Sequence, residues 1–463
     1  MRWFKHSVLL LAALLALAVV LSTVASGPVA AANDPNGWSD QSLHVVGGPI
    51  ISDGVAIVIN VTTRHELEVT GVDPSDGSVI WSHPFSASQI TPGVAFSPVA
   101  IGNTVLGLSP ADGSRNPAVT VEGLDAATGD AIWTVPQPLV LSDAPVACAS
   151  GQDFCIPAFI STSSTALVAL APSSGSVVGE VQGPLRNMGV APSGTPNGSD
   201  LWQSDASTPT FVQTSTTGQL AWTHTVASLF GGSQFNPSNG WDFIVDGEYD
   251  IGSVGTALIG KTQPLDDFKT IGVSTSSGSV AWSVPGYFLC GGALQFLTTD
   301  LVCQYTGAAH LKGQKETMTG VQLTLAGLDP TSGGTTWTER VLDAQAMSLG
   351  TNIAFSDGSH MVVQLLSAKR VVLDVQNGSV SSPSHNESFW CEQIPTYKVD
   401  AASAASFDGE RVSGPVFTPC SASGKPVEKL PTTSPSTVGV TAGGMFMWPT
   451  PGGLQGARLS VAA

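Results

Sequence analysis

Three acidic residues alternate at Asp246, Glu248 and Asp250, a spacing that could hold a metal ion. On one extended strand every second side chain lies on the same face, so the three carboxylates could together bind a hard cation such as Ca²⁺. Asp266 and Asp267 would add a carboxylate only if the chain folded back on itself there. The D-x-[DN]-x-[DN]-G pattern of calcium loops is absent, which favours an exposed insertion hairpin. We therefore assign no metal ligand from the sequence.

Nucleophiles and general bases show no local motif. The chain has no G-x-S-x-G elbow, no H-E-x-x-H and no C-x-x-C. His83 and His224 each follow a tryptophan by two residues, which indicates equivalent places in a repeat. An active site assembled from separate repeats around a central channel would leave no local motif, so enzymes stay open as alternatives. We predict no catalytic residue and no cofactor-binding residue.

The six cysteines form three sequential pairs: Cys148/Cys155, Cys290/Cys303 and Cys391/Cys420. A zinc site would need C-x-x-C spacing or nearby histidines, and neither is present. Disulfides within each pair are the simplest arrangement, although six thiols allow many other connectivities. Such bonds indicate an oxidising compartment.

A recurring turn string shows how the chain is organised. Residues 123–133 read G-L-D-A-A-T-G-D-A-I-W, in which a strand runs into Asp125, a turn at Gly129 reverses the chain and a short strand ends in Trp133. Asp accepts backbone N–H bonds at a turn entrance, Gly adopts positive φ without a Cβ clash, and the indole offers a large apolar face. The string recurs seven times more with decreasing fidelity. Its turn glycines are Gly77, Gly129, Gly175, Gly218, Gly278, Gly333, Gly378 and Gly424.

Steps of 43 to 60 residues between these glycines are typical of β-propeller blades. Only 11% of residues are charged, there are 51 glycines and 31 prolines, and no helical periodicity follows residue 32. We predict an all-β fold, a single β-propeller of eight four-stranded blades over residues 43–463. Seven blades is the alternative, because the eighth repeat keeps little of the string beyond Gly424. The C-terminal strands are expected to complete the ring beside the first blade, so that no sheet edge stays open.

The first 32 residues form a predicted hydrophobic targeting helix. Arg2 and Lys5 precede an apolar run over residues 8–21 and small residues that suit a peptidase. A signal peptide and an uncleaved N-terminal membrane anchor are both consistent with this pattern. Either one makes the protein extracytoplasmic, secreted or tethered to the outer face of the cytoplasmic membrane. The net charge is −18 for the whole chain, which disfavours nucleic-acid binding.

The string A-x-D-x-x-T-G-x-x-x-W resembles the tryptophan-docking repeat of quinoprotein-type propellers, the PQQ-like repeat family. Residues 123–133 match its Asp, Thr, Gly and Trp, with Gly for Ala at the first place. The resemblance implies that a tryptophan of one blade packs against the small first residue and the turn of the next. The tryptophans in that place are Trp81, Trp133, Trp222, Trp282 and Trp337.

The resemblance implies two classes of function. Family members that are alcohol or glucose dehydrogenases hold PQQ over a Ca²⁺ ion, and in the alcohol dehydrogenases two adjacent cysteines stack on the quinone. No two cysteines are adjacent in this chain. Other members bind no cofactor and act as scaffolds. We therefore predict an exported, non-catalytic scaffold that binds a protein or cell-envelope partner through its loops or central channel. A PQQ-dependent quinoprotein oxidoreductase is the alternative, and a propeller hydrolase or lyase is a third.

Overall fold

The computed structural model describes most of the chain from residue 37 onward. The described residues are 37–88, 97–111, 117–148, 151–161, 164–183, 199–203, 209–214, 220–231, 243–246, 249–254, 262–274, 276–288, 300–312, 315–341, 354–355, 359–364, 369–400, 403, 411–431 and 438–458. The predicted targeting helix over residues 1–32 lies outside them, as do Gly218 and Cys290.

The described structure is nearly all β, which confirms the predicted fold class at that level. Up to the third repeat the strands are β1 (Gly37–Asp40), β2 (His44–Ser52), β3 (Val55–Val61), β4 (Leu67–Val72), β5 (Val79–Phe85), β6 (Ala100–Ile101), β7 (Thr104–Pro110), β8 (Ala118–Asp125), β9 (Ala131–Thr134), β10 (Leu139–Leu141), β11 (Val146–Ala147), β12 (Phe154–Ser161), β13 (Ser164–Leu170) and β14 (Val177–Gly183).

The fourth to sixth repeats add further strands and one five-residue helix. They are β15 (Ser199–Gln203), β16 (Pro209–Thr214), β17 (Leu220–Thr225), α1 (Val226–Phe230), β18 (Phe243–Asp246), β19 (Tyr249–Val254), β20 (Thr262–Pro264), β21 (Lys269–Ser274), β22 (Val280–Pro285), β23 (Tyr287–Phe288), β24 (Asp300–Lys312), β25 (Lys315–Leu328) and β26 (Thr335–Val341). Within the described part of the chain, no helix is long and apolar enough to span a bilayer.

The last third of the chain is again built from strands. They are β27 (Ala354–Phe355), β28 (His360–Gln364), β29 (Arg370–Asp374), β30 (Val380–Ser381), β31 (Phe389–Gln393), β32 (Thr396–Lys398), β33 (Arg411–Ser413), β34 (Val416–Cys420), β35 (Val440–Ala442), β36 (Met445–Thr450) and β37 (Gly453–Arg458).

Strands pair antiparallel, mostly with their sequence neighbours. The first repeat is the sheet β2-β3-β4-β5, and the fifth is β18-β19-β21-β22. The N-terminal strand β1 is an exception, because it pairs with β37 and forms the outer strand of a sheet ordered β1-β37-β36-β35. We call this sheet, which joins the two ends of the described chain, the closing sheet.

The first repeat shows why these residues form inner and outer strands. All seven residues of β3, V-A-I-V-I-N-V, are buried, whereas the outer strand β5 buries only Trp81 and Phe85. β-Branched residues suit an inner strand that is covered on both faces. The turn between β2 and β3 has positive φ at Asp53 (48°) and Gly54 (77°), as a two-residue type I′ hairpin requires.

Two large apolar clusters bury the inner strands. One extends over the first three repeats, and the other joins the sixth and seventh repeats to β31, β34 and the closing sheet. The hairpin of β32 and β33, which we call the strap, places Val399 and Val412 in the first cluster. Ser403 follows β32, and its Oγ accepts a hydrogen bond from the Leu67 backbone N–H at 2.9 Å. The strap therefore ties the C-terminal part of the chain to the first repeat.

The number of blades stays a prediction. The eighth turn glycine, Gly424, follows a pair of strands, β31 and β34, extended by a single bridge between Cys420 and Pro426. Parts of the fourth repeat lie outside the described residues.

Candidate functional site

Four of the five predicted docking tryptophans lie over a glycine of their own sheet, whereas Trp222 lies opposite Gln213. The register places Trp81 opposite Gly71 and Trp133 opposite Gly123, and the pairs Trp282–Gly272 and Trp337–Gly327 repeat this arrangement. A Cβ on Gly71 would come within 2.9 Å of the Trp81 Cδ1 atom. The small first residue of the string is therefore required by the tryptophan of the same repeat. The sequence interpretation, which assigned this contact to the next repeat, is wrong in that detail.

The other face of each indole meets the turn glycine of the following repeat. A Cβ on Gly129 would lie 2.6 Å from Trp81 Cδ2, and the Trp81 Nε1–H donates to the Ala126 carbonyl at 2.9 Å. Trp282 and Trp337 donate in the same way to the residue after the turn aspartate. Removing a buried tryptophan of this kind costs about 3–5 kcal/mol. These indoles therefore join neighbouring sheets into one frame.

Trp38 is a docking tryptophan that the sequence interpretation missed. It lies on β1 opposite Gly456, and a Cβ on Gly77 of the first repeat would come within 2.7 Å of its Cδ2 atom. Its Nε1–H donates to the Pro74 carbonyl at 2.9 Å. Trp38 thus docks the closing sheet onto the first repeat. No turn string precedes it, since its glycine partner comes from the other end of the chain.

The docking is not uniform along the chain. Trp222 reaches Gly278 as expected, with the His224 ring 5.5 Å away at its side. Gly179 and Ser382 stand where the third and seventh repeats would carry an indole. At Gly424, the turn glycine that follows Ser382, an added Cβ would meet no atom of the described residues within 4 Å.

His83 lies in a polar cluster between the first two repeats. Its Nε2 is 3.7 Å from Glu122 Oε2, and Ser109 Oγ donates to the same Oε2 at 2.5 Å. Ser109 Oγ is 3.4 Å from His83 Nδ1. In a nucleophile–base arrangement the serine would donate to the histidine and the acid would orient the other ring nitrogen. Here the serine hydroxyl donates its hydrogen bond to the Glu122 carboxylate and not to the histidine, so the three side chains form a polar contact between the first two repeats.

Glu392 is the described carboxyl that burial perturbs most. It lies on β31 two residues after Trp390, and burial raises the pKa of its carboxyl to about 7. Trp390 packs at 5.5 Å against Trp448 of the closing sheet, and the indole N–H of each has no hydrogen-bond partner among the described residues. The sequence did not predict the buried Glu392 carboxyl or the two unpaired indole N–H groups, because their burial depends on strands that are distant in the sequence.

The acidic residues 246–250 do not share one strand. β18 ends at Asp246 and β19 begins at Tyr249, with Asp246 opposite Tyr249 and Asp250 opposite Val245. Successive pairs alternate faces, so the two aspartate positions lie on opposite faces of the hairpin. Glu248 lies outside the described residues. Among the residues that the structure describes, no group of three or more His, Cys, Asp and Glu could hold a metal ion.

Two predicted disulfides are confirmed. Cys148 bonds to Cys155 with Cα atoms 4.9 Å apart, and Cys391 bonds to Cys420 with Cα atoms 5.9 Å apart. Cys303 is also disulfide-bonded. Its predicted partner, Cys290, lies outside the described residues.

Comparison with known proteins connects this geometry to a family. Residues 25–189 match the family model described as outer membrane protein assembly factor BamB, which has PQQ-like repeats; no curated protein sequence matches the chain. The crystal structure of BamB from Moraxella catarrhalis is similar at 14% identity and a TM-score of 0.32, covering 91% of this chain and 97% of that one.

Two further solved structures are similar at 12% identity. Quinohemoprotein alcohol dehydrogenase from Comamonas testosteroni has a TM-score of 0.40, covering 85% of this chain and 77% of that one. A europium-containing methanol dehydrogenase has a TM-score of 0.36, covering 78% and 84%. At TM-scores below 0.5 these likenesses decide nothing about activity.

Proposed function

For this β-propeller of PQQ-like repeats, we propose the function of an exported, non-catalytic scaffold that binds a protein or cell-envelope partner. The observation that carries the proposal is the match of residues 25–189 to the BamB family model, whose description names an assembly factor. Those residues include the first three repeats, which the indoles Trp81 and Trp133 dock onto one another. A frame fixed in this way would present loops, channel and outer strands in constant geometry.

Finer features of fold and location belong to the same proposal. We infer one ring of eight blades over residues 43–463, closed through the C-terminal strands, and the β1–β37 pairing supports this closure. Residues 1–32 would be a signal peptide or a membrane anchor. The two disulfides support an extracytoplasmic location, because such bonds persist in oxidising compartments.

Titration with PQQ and Ca²⁺ tests the non-catalytic part of the proposal. Purified protein is dialysed against both, and bound quinone is measured by its absorbance, with an apo quinoprotein dehydrogenase as positive control. We expect no saturable binding by this protein at concentrations that load the control. A tight stoichiometric complex would refute the proposal and favour a quinoprotein oxidoreductase.

A second experiment tests the scaffold role directly. Cells that produce the protein are treated with a short cross-linker, and the adducts are identified by mass spectrometry after stringent washing. We expect one envelope or exported protein to be joined repeatedly to the same surface lysines or acids. Adducts scattered over many abundant proteins would contradict a specific scaffold.

A further inference from the structure

The exposed large apolar side chains of the described residues share one position in the repeat. With the exception of Ile394, each is the second or third residue after a turn glycine. They are Val79, Ile80, Ile132, Val177, Val178, Val280 and Val380, each between 40% and 58% exposed. A position that recurs in five repeats indicates a common structural cause.

In the first three repeats that cause is a β-bulge at the start of the outer strand. In the first repeat Val79 pairs with Val72 and Trp81 pairs with Gly71, so Ile80 is an extra residue in the ladder. Ile132 and Val178 are the equivalent extra residues in the second and third repeats. The bulge lets the following tryptophan turn inward over its glycine, and it leaves the extra aliphatic side chain in solvent.

The apolar side chains are most numerous on the first three repeats. We call Val79, Ile80, Ile132, Val177 and Val178 the rim. Among the described strands, β5, β9 and β14 each pair on one side only, so no described strand covers their outer backbone edges. The three strands follow one another around the molecule, because Trp81 docks at Gly129 and Trp133 docks at Gly175. The rim therefore extends over three consecutive repeats, the first in its own sheet and the second and third in one nine-stranded sheet that β10 joins.

The repeats that carry the rim are strongly acidic. Residues 37–183 contain thirteen Asp and Glu and only two basic side chains, both arginines. Asp76, Asp130 and Glu180 are exposed within a few residues of rim positions. Hydrogen bonding from the Ser78 backbone lowers the pKa of Asp76, which keeps that carboxylate ionised. Like charges would oppose a second copy of this chain on the same surface, and they favour a basic occupant.

We propose that the rim binds an extended segment of a partner protein in which aliphatic side chains alternate with Lys or Arg. The inference rests on the proposed scaffold function and names the surface and chemistry that such a partner would use. Alternation would place the aliphatic side chains on the rim and the cationic ones toward the carboxylates. Strand β14, with seven residues and no proline, offers the best open edge for backbone pairing.

The test uses three fluorescent peptides of equal length and anisotropy as the readout. One alternates Lys and Val, a second alternates Glu and Val, and a third alternates Lys and Ser. The variant Ile80→Ser/Ile132→Ser/Val178→Ser removes three rim side chains. The control Val280→Ser/Val380→Ser removes exposed valines from the start of the outer strands of the fifth and seventh repeats, each two residues after its turn glycine. All sites are exposed, and circular dichroism before and after thermal melting verifies that both variants fold.

We expect saturable binding of the Lys–Val peptide, weakened at least about tenfold by the rim variant and unchanged by the control. Raising the ionic strength from about 0.1 M to about 1 M should weaken the binding, because screening shortens the range of the carboxylates. Equal binding of the Lys–Ser peptide, equal binding of the Glu–Val peptide, or equal losses in both variants would overturn the proposal. If no peptide binds and no quinone binds either, the rim is refuted as a binding surface, and the proposed scaffold function would have to use other loops.

Discussion

Replacing a docked turn glycine should cost more stability than replacing an undocked one. Gly129 (φ 74°) and Gly424 (φ 76°) occupy the same place in their turn strings and have the same backbone conformation. In Gly129→Ala the new methyl group would overlap the Trp81 ring, whereas in Gly424→Ala it would meet open space. The two variants therefore share the backbone strain and differ in the contact with an indole.

The expected sizes follow from these two terms. A left-handed alanine costs about 1–2 kcal/mol, which both variants should lose. Forcing the indole to move should cost a further ~1–3 kcal/mol of unfolding free energy, as overpacking of a core does. Gly129→Ala should therefore lose about 2–5 kcal/mol of unfolding free energy, and Gly424→Ala about 1–2 kcal/mol.

Urea denaturation with the disulfides intact, followed by far-UV circular dichroism, measures both losses. A double-mutant cycle isolates the contact, because Gly129→Ala in a Trp81→Ala background should cost no more than Gly424→Ala. Equal losses for the two glycine variants, or a loss at Gly129 that persists without the indole, would refute the docking argument.

Three further predictions concern burial, bridges and the strap. Because burial raises the pKa of Glu392, the folded state holds a proton that the unfolded state releases, and the free energy of unfolding should fall as pH rises from about 4.5 to about 7. Glu392→Gln should remove that fall and, in urea titrations at pH 8, should be more stable than the parent by on the order of 1–3 kcal/mol. A variant whose stability depends on pH as much as the parent's does would contradict this. Peptide mapping without reduction should link Cys290 to Cys303, and a link from either one to another cysteine would disprove local pairing. Ser403→Ala should leave the buried Leu67 N–H unpaired and lose about 1–3 kcal/mol in denaturation, whereas an unchanged midpoint would show that the strap does not hold the first repeat.

Features that depend on local turn chemistry could be predicted from the sequence. The aspartate and glycine of each string predict a turn and the tryptophan predicts a docking strand, because each residue type acts within a few residues of itself. Positive φ at Gly77, Gly129 and Gly333 agrees with this logic. The all-β class follows from the same strings and from the low helical periodicity.

Features that depend on distant strands could not be predicted in this way. Trp38 can dock onto the first repeat only when β1 pairs with β37, and no turn string near Trp38 indicates that pairing. Glu122, Ser109 and His83 meet because two sheets pack together, although no motif connects them. Asp246 and Asp250 lie on the two strands of a hairpin, as the missing calcium-loop pattern had indicated, and not on the single strand that a shared carboxylate face would need.

The claim that the chain ends close one ring of docked repeats has a direct test. Ser39 of β1 lies opposite Gln455 of β37. Cross-strand neighbours have Cα atoms about 4.5–5.5 Å apart, within the range that a disulfide spans. The variant Ser39→Cys/Gln455→Cys should therefore form a disulfide on oxidation, seen as a linked peptide pair by mass spectrometry. Ser39→Cys/Thr441→Cys, with the second cysteine on the non-adjacent strand β35, should not. Absence of the first link while the native bridges stay intact, or equal linking in both variants, would contradict the closed ring.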